Sequence, residues 1–316
     1  MVTRVLLLGD ALALRPAQRV AACFGAEIER RDPDLHLFDK AKAFAPHVVI
    51  LHLEGLGEYR RMVMERMATL PGAPPVIVLA ETSPPPCMAE LLERPWFDHL
   101  MGLQAPWFME ELAVTLATLT GRPLFGLEKY LPWGSRIVEI PIGGSADKDP
   151  AFDRITAFME AIGIRGRLVD RLCALADELL MNAIYDAPVD RRSGEARYHG
   201  LPRSTPVALD PDERPVLRFG SDGQRFGLSV RDPFGALSPT TFKGYIAKGL
   251  RGGEDQIDAK VGGAGLGLYL LFSSLGTMVL NVHRRQQTEV IGLVDIRGSF
   301  RDLQRAPRSL HVFERR

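Results

Sequence analysis

Three stretches of this 316-residue chain carry residue types that can do chemistry together. The first is ELLMNAIYDAP, residues 178–188, in which Glu178, Asn182 and Asp186 stand four apart. On a helix, at about 100° per residue, they form one row that drifts about 40° per step. A carboxylate in such a row can act as a general base. An amide oxygen suits Mg²⁺, a hard cation that takes oxygen ligands and keeps several waters. The second stretch is VRDPFGAL, residues 230–237. Phe226, Leu228, Val230 and Asp232 share parity, so a strand points all four to one face. An acid on a core-directed face is costly unless it has a partner, which singles out Asp232. The third stretch is GGAGLGL, residues 262–268, entering an apolar helix. Free N–H groups at a helix start bind anions, and glycines let the anion lie against the backbone. Gly263, Gly265, Leu266 and Gly267 are the candidate anion-holding positions.

Placing these groups requires a particular set of elements. Leu168, Leu172, Leu175, Leu179 and Ala183 recur every three to four residues, the period of a buried helix face, and predict a helix over 167–186. The polar row runs beside that face. Asp222-Gly223 inside SDGQ is a tight-turn signal and predicts a hairpin that ends at Asp232. Residues 136–142 read as a preceding strand and 153–161 as a helix. Residues 278–283 and 290–296 read as a second hairpin, and 309–313 as a last strand. Residues 135–316 are thus expected to form a mixed sheet with helices on one face. Residues 238–261 contain Lys243, Lys248, Arg251 and Gly252-Gly253 and read as a mobile loop. Lys248 is its candidate phosphate contact.

In that order the three stretches resemble the nucleotide pocket of the GHKL ATPase family. That family contains histidine-kinase ATPase domains, gyrase-type ATPases, chaperone and mismatch-repair ATPases, and the anti-sigma-factor serine kinases. The resemblance implies a Bergerat ATP-binding fold, an α/β two-layer sandwich, over 135–316, with ATP or ADP and Mg²⁺ as cofactors. It implies Asn182 as the Mg²⁺ ligand, Glu178 as general base or orienting group, and Asp232 as acceptor of the adenine exocyclic amine. Residues 178–187 look most like the serine kinases, whose helix reads E-x-x-x-N-A-x-x-H-A. Asp186 stands where that pattern has His, a change among the phosphate-side contacts. The family's D-x-G-x-G pattern is also altered. Asp232-Pro233-Phe234-Gly235-Ala236 fills both usual glycine positions with Phe and Ala and places Gly235 between them. Two readings of that change stay open: a turn shifted in register, or a narrowed adenine slot.

The first 120 residues alternate short apolar runs with amphipathic stretches, including HVVILHL at 47–53 and PVIVLA at 75–80. Five βα units predict a flavodoxin-like, doubly wound parallel sheet. The layout resembles response-regulator receiver domains, but the chemistry is mostly missing. Gly9-Asp10 leaves one acid where a receiver holds an Mg²⁺-binding pair. His52 falls on the phosphoacceptor position and Ala80 on the hydroxyl position, and FDHLMGLQAP offers no matching Lys. Phosphoryl transfer to a receiver needs the nucleophile and the metal-holding acids together. The expectation is a pseudo-receiver that docks a partner or dimerises; a flavodoxin-like domain unrelated to receivers is the alternative. Residues 121–134, GRPLFGLEKYLPWG, read as a linker that packs against something.

Composition narrows the function classes. With 39 basic and 39 acidic residues, bulk charge gives no reason to propose nucleic acid or an anionic membrane as partner. Three scattered cysteines form no disulfide or metal pattern and suit a reducing cytoplasm. No segment approaches the 18 apolar residues of a membrane span. None of the seven histidines lies in a long helix followed by an acid, as a histidine-kinase phosphoacceptor hairpin requires. The resemblance therefore implies an ATP-binding signalling protein that phosphorylates a partner, an anti-anti-sigma-like or two-component protein, with a homodimer as a further expectation. The alternative is a non-catalytic module, gated by nucleotide or free of it, that binds other proteins.

Overall fold

Five short segments in the first 102 residues become strands, four of them rich in apolar residues and the second charged: β1 (Arg4–Leu8), β2 (Glu27–Arg31), β3 (Val48–His52), β4 (Val76–Ala80) and β5 (Phe97–Gly102). The computed structural model describes residues 2–132, 134–190, 192–252, 266–298 and 300–315. It is an α/β protein whose chain divides into two units. Met1–Leu124 with Pro307–His311 makes one, and Phe125–Ala306 with Val312–Arg316 the other.

In the first unit the strands are parallel in the order β2-β1-β3-β4-β5. Helices α1 (Arg15–Cys23), α2 (Leu37–Phe44), α3 (Arg60–Arg66), α4 (Met88–Leu92) and α5 (Phe108–Leu119) alternate with them. Val5, Leu7, Ile50, Ile77 and Leu79 share one core with Ala17 and Val20 of α1 and Leu112 and Leu116 of α5. The alternate residues Leu6, Leu8, Val49, Leu51 and Val78 are equally buried. Both sheet faces are therefore covered, which is why these strands read as continuous apolar runs. Leu310 and His311 pair antiparallel with Leu100 and His99 of β5. His311 Nε2 lies 2.8 Å from a Glu111 oxygen and its Nδ1 3.3 Å from His99 Nδ1, a buried polar chain.

The second unit contains β6 (Ile137–Pro141), α6 (Lys148–Ala161), α7 (Arg167–Met181), β7 (Val216–Ser221), β8 (Arg225–Asp232), α8 (Pro239–Gly252), α9 (Leu266–Ser274), β9 (Thr277–His283), β10 (Gln287–Asp295) and α10 (Phe300–Arg305). The final strand, β11, spans Ser309–Arg315. The order β9-β10-β8-β7-β6 is antiparallel at every step. A mixed sheet is the expectation for this half; within these five strands no parallel pair occurs. Short turns enforce that at two ladders. At the β7–β8 turn, Asp222 Oδ1 accepts the N–H groups of Gln224 and Arg225 at 2.8 and 2.6 Å.

The stretch 121–134, expected to be a packing linker, holds several buried side chains. Leu124, Leu127, Tyr130 and Leu131 are buried. In the second unit the Gly126 N–H donates to the buried Glu289 carboxylate at 2.8 Å, and Asn281 Nδ2 donates to the same oxygen at 3.1 Å. Burial pushes the Lys129 ammonium down to about 8, against the pull of Glu289 and Glu128.

The loop expected over 238–261 is corrected by the structure. Pro239–Gly252 is a fourteen-residue helix, and positions 253–261 lie outside the described residues. Ser238 caps it, its hydroxyl accepting the Thr241 N–H at 3.0 Å. Pro239 takes the first helical position, where its missing N–H costs nothing. Phe242, Ile246 and Ala247 bury one face. The Lys and Gly content obscured that stripe. Among the described residues no helix is long and apolar enough to cross a membrane.

Candidate functional site

The helix that carries the polar row changes winding in the middle of it. α7 is amphipathic, burying Val169, Leu172, Leu175, Ala176 and Leu179. It ends at Met181 and passes into a π turn over Asn182–Asp186, where the Ala187 N–H bonds to the Asn182 carbonyl, five residues back, at 2.9 Å. The expected row was a single α-helical one. The wider turn brings Asp186 short of a full revolution from Asn182 instead of past it. Single π turns of this kind recur at functional sites. α7 and the π turn both pack on β8, and α9 packs on α7. The polar row, Asp232 and the start of α9 therefore belong to one packed set of elements.

Asp232, the last residue of β8, is buried. Burial pushes its carboxyl up to about 6, and the N–H groups of Phe234 and Gly235 pull the other way. The Phe234 N–H donates to Asp232 Oδ1 at 3.0 Å. Directly across the ladder stands Thr288 of β10. Its buried hydroxyl helps hold the carboxylate. A paired acid and hydroxyl on neighbouring strands can read a donor–acceptor edge. Nothing in the chain order links Thr288 to Asp232; only the register of β10 on β8 does.

Glu178 is half-buried. Burial raises its carboxyl above the usual range, with Asp177 and Asp186 adding to the rise; Arg203 and an Asn182 hydrogen bond oppose it. Gly267, in the first turn of α9, lies against this carboxylate so closely that a Cβ at 267 would collide with it. A side chain at 267 would therefore force the Glu178 carboxylate to move. Gly263 and Gly265 lie outside the described residues. Leu266 opens α9. Lys248 stands exposed on α8, while Lys243 is buried.

Asp186 is already engaged. Its oxygens lie 2.7 Å from Arg203 Nη2 and 3.2 Å from His199 Nδ1. Both partners come from the long connection between the π turn and β7, a stretch without a periodic pattern. Among the described residues no cluster of three His, Cys, Asp or Glu side chains could hold a metal.

Gly235 resolves the altered turn. It takes φ +62°, its carbonyl accepts the Arg285 N–H at 3.2 Å, and a Cβ there would collide with the His283 carbonyl. Phe234 is buried beside it. This glycine lets the chain after β8 lie against the β9–β10 turn. Gly235→Ala should destabilise the fold by about 1–3 kcal/mol through left-handed strain and the backbone collision. Urea unfolding of the two proteins measures this; equal midpoints would show that the turn relaxes freely.

In the first unit, the receiver-like positions gather at the carboxyl ends of the strands. His52 ends β3, fully enclosed, and neither ring nitrogen has a hydrogen-bond partner. Its Nε2 lies 3.5 Å from Glu54 and 3.7 Å from Glu81. Gly9 and Gly55 press on it, and a Cβ at Gly55 would come 2.7 Å from its Nδ1. Asp10 is turned to its own backbone, accepting the N–H groups of Leu12 and Ala13, both at 2.9 Å.

No protein-family model matches the chain, and no curated protein matches it.

Proposed function

We propose that residues 135–316 bind an adenine nucleotide with Mg²⁺ in a Bergerat-type site, and that the protein is a GHKL-like signalling kinase acting on a partner. The observation that carries this reading is the buried Asp232 carboxyl paired in register with the buried Thr288 hydroxyl. Gly267 against Glu178 supports it, because it joins the glycine-rich turn to the acidic row. Bound ATP·Mg²⁺ would supply the transferable phosphoryl group. Asp232 accepts the exocyclic amine of the base. Asn182 offers its amide oxygen to the cation. Glu178, its carboxyl raised above the usual range by burial, takes the proton of an attacking hydroxyl. Anti-anti-sigma-like and two-component proteins are the partners this reading favours, in a cytoplasm that leaves Cys23, Cys87 and Cys173 free. The first unit is read as a flavodoxin-like pseudo-receiver. Its 2-1-3-4-5 strand order supports that, and His52 in place of an acid leaves it a docking or dimerisation role.

A second reading, a non-catalytic module that binds proteins, draws on the turn after β8. There Phe234 is buried and Gly235 serves packing.

Calorimetric titration of ATP and ADP, with and without Mg²⁺, tests the proposal. The wild type should bind both, and Mg²⁺ should strengthen ATP binding. Asn182→Ala should lose that increment, at least about tenfold, since even outer-shell metal partners contribute that much. A folded wild type with no saturable binding at millimolar ATP would leave the module reading in its place.

A further inference from the structure

The acidic row poses an electrostatic problem that the connection between the π turn and β7 answers. Asp177 and Asp186 stand close enough to Glu178 to raise its carboxyl. A polyphosphate held by Asn182 would meet that negative field. Lys148 pairs with Asp177, its ammonium 2.6 Å from Asp177 Oδ1 and 3.0 Å from the Met181 sulfur, and leaves Glu178 and Asp186 to another cation. Arg203 is differently placed. Its Nη2 donates to Asp186 at 2.7 Å and its Nη1 to the Met181 carbonyl at 3.0 Å. Its guanidinium carbon lies 5.2 Å from the centre of the Tyr185 ring. The backbone on which it sits is pinned as well. The Tyr185 hydroxyl lies 3.0 Å from the Arg203 carbonyl and 2.8 Å from that of Thr205. Arg203 is the cation whose charge acts most on Glu178.

A guanidinium has five N–H donors in a fixed fork. The two bonds to Asp186 and Met181 leave donors free, and the side chain is 41% exposed. A fork stacked on an aromatic ring, beside the general base and the metal ligand, matches a phosphate geometrically.

Resting on the nucleotide-site reading, we propose that Arg203 recognises the terminal phosphate of ATP, and that Asp186 and Tyr185 hold it ready for that role. This explains why an acid is tolerated at position 186. Asp186 orients a cation brought in from outside the helix.

The test is the ratio of ATP to ADP affinity, measured by calorimetry with Mg²⁺ on wild type, Arg203→Ala and Arg203→Lys, with melting curves alongside. ADP lacks the terminal phosphate. Arg203→Ala should weaken ATP roughly 10- to 100-fold and ADP by less than about threefold. Arg203→Lys keeps the charge and most of the stem but loses the fork, so its ratio should fall in between. It carries the test if the alanine variant fails to fold. Equal losses for ATP and ADP would overturn the assignment and leave Arg203 a brace for the end of α7. Nucleotide binding absent from the folded wild type would sink the site reading and this assignment together.

Discussion

Asp232→Asn is expected to weaken ATP binding roughly 10- to 150-fold, the effect of losing a buried, charge-assisted hydrogen bond. Selectivity should fall with it, because an amide can present a donor where the carboxylate accepts. GTP and ATP affinities should therefore converge in the variant. The same substitution has a signature in the absence of ligand. Burial pushes the Asp232 carboxyl from 3.8 to about 6, so the folded chain holds that proton more tightly than the unfolded chain. The group's contribution to stability is full below about pH 4 and is lost as pH rises through about 6. A shift of about two units is worth about 3 kcal/mol. Urea unfolding of the wild type should thus lose about 3 kcal/mol relative to Asp232→Asn between pH 4 and pH 7. Parallel stability curves for the two proteins would show that Asp232 is solvated and not the buried acid described.

Glu178→Gln should have the largest effect on turnover. Removing a positioned general base lowers rates by roughly 10²- to 10⁴-fold. ATP affinity should change little, because Gln keeps the shape beside Gly267 and leaves Asn182 and Asp232 in place. The raised Glu178 carboxyl adds a pH arm: activity should decline on acidification at a higher pH than an exposed glutamate would give. Phosphate release and transfer to a partner, measured beside calorimetry, separate the two quantities. Turnover equal in wild type and Glu178→Gln would remove Glu178 from the chemistry. Turnover undetectable in both, with normal binding, would favour the non-catalytic module.

Local pattern made much of the fold legible. α7 was readable because its apolar residues repeat with the helical period, and that period places Glu178 and Asn182 beside the buried stripe without reference to the rest of the chain. The β7–β8 turn was readable because Asp222 and Gly223 satisfy a tight turn from within it, Asp222 through its side chain and Gly223 through its φ of +85°. Asp232 stood out because parity alone sends an acid toward the core. α8 was missed although its signal was present: Ser238-Pro239 begins a helix, and Phe242, Ile246 and Ala247 line one side. Lysines and glycines on the remaining positions masked that period.

Other features had no local signal. The π turn at Asn182–Asp186 follows ordinary helix-forming residues. Arg203 reaches Asp186 from a connection without periodicity. His311 joins Glu111 and His99 only because the end of the chain adds to the edge of β5. Thr288 meets Asp232 through the register of one strand on another. A helix or a turn is specified by contacts among residues a few positions apart, so its signal is written locally. A facing residue on a neighbouring strand, or a cation brought in from a distant connection, is specified by which surfaces bury each other. For this protein the sequence alone determined most of the elements and the principal acidic and amide groups. Tertiary packing decided what stands opposite each of them.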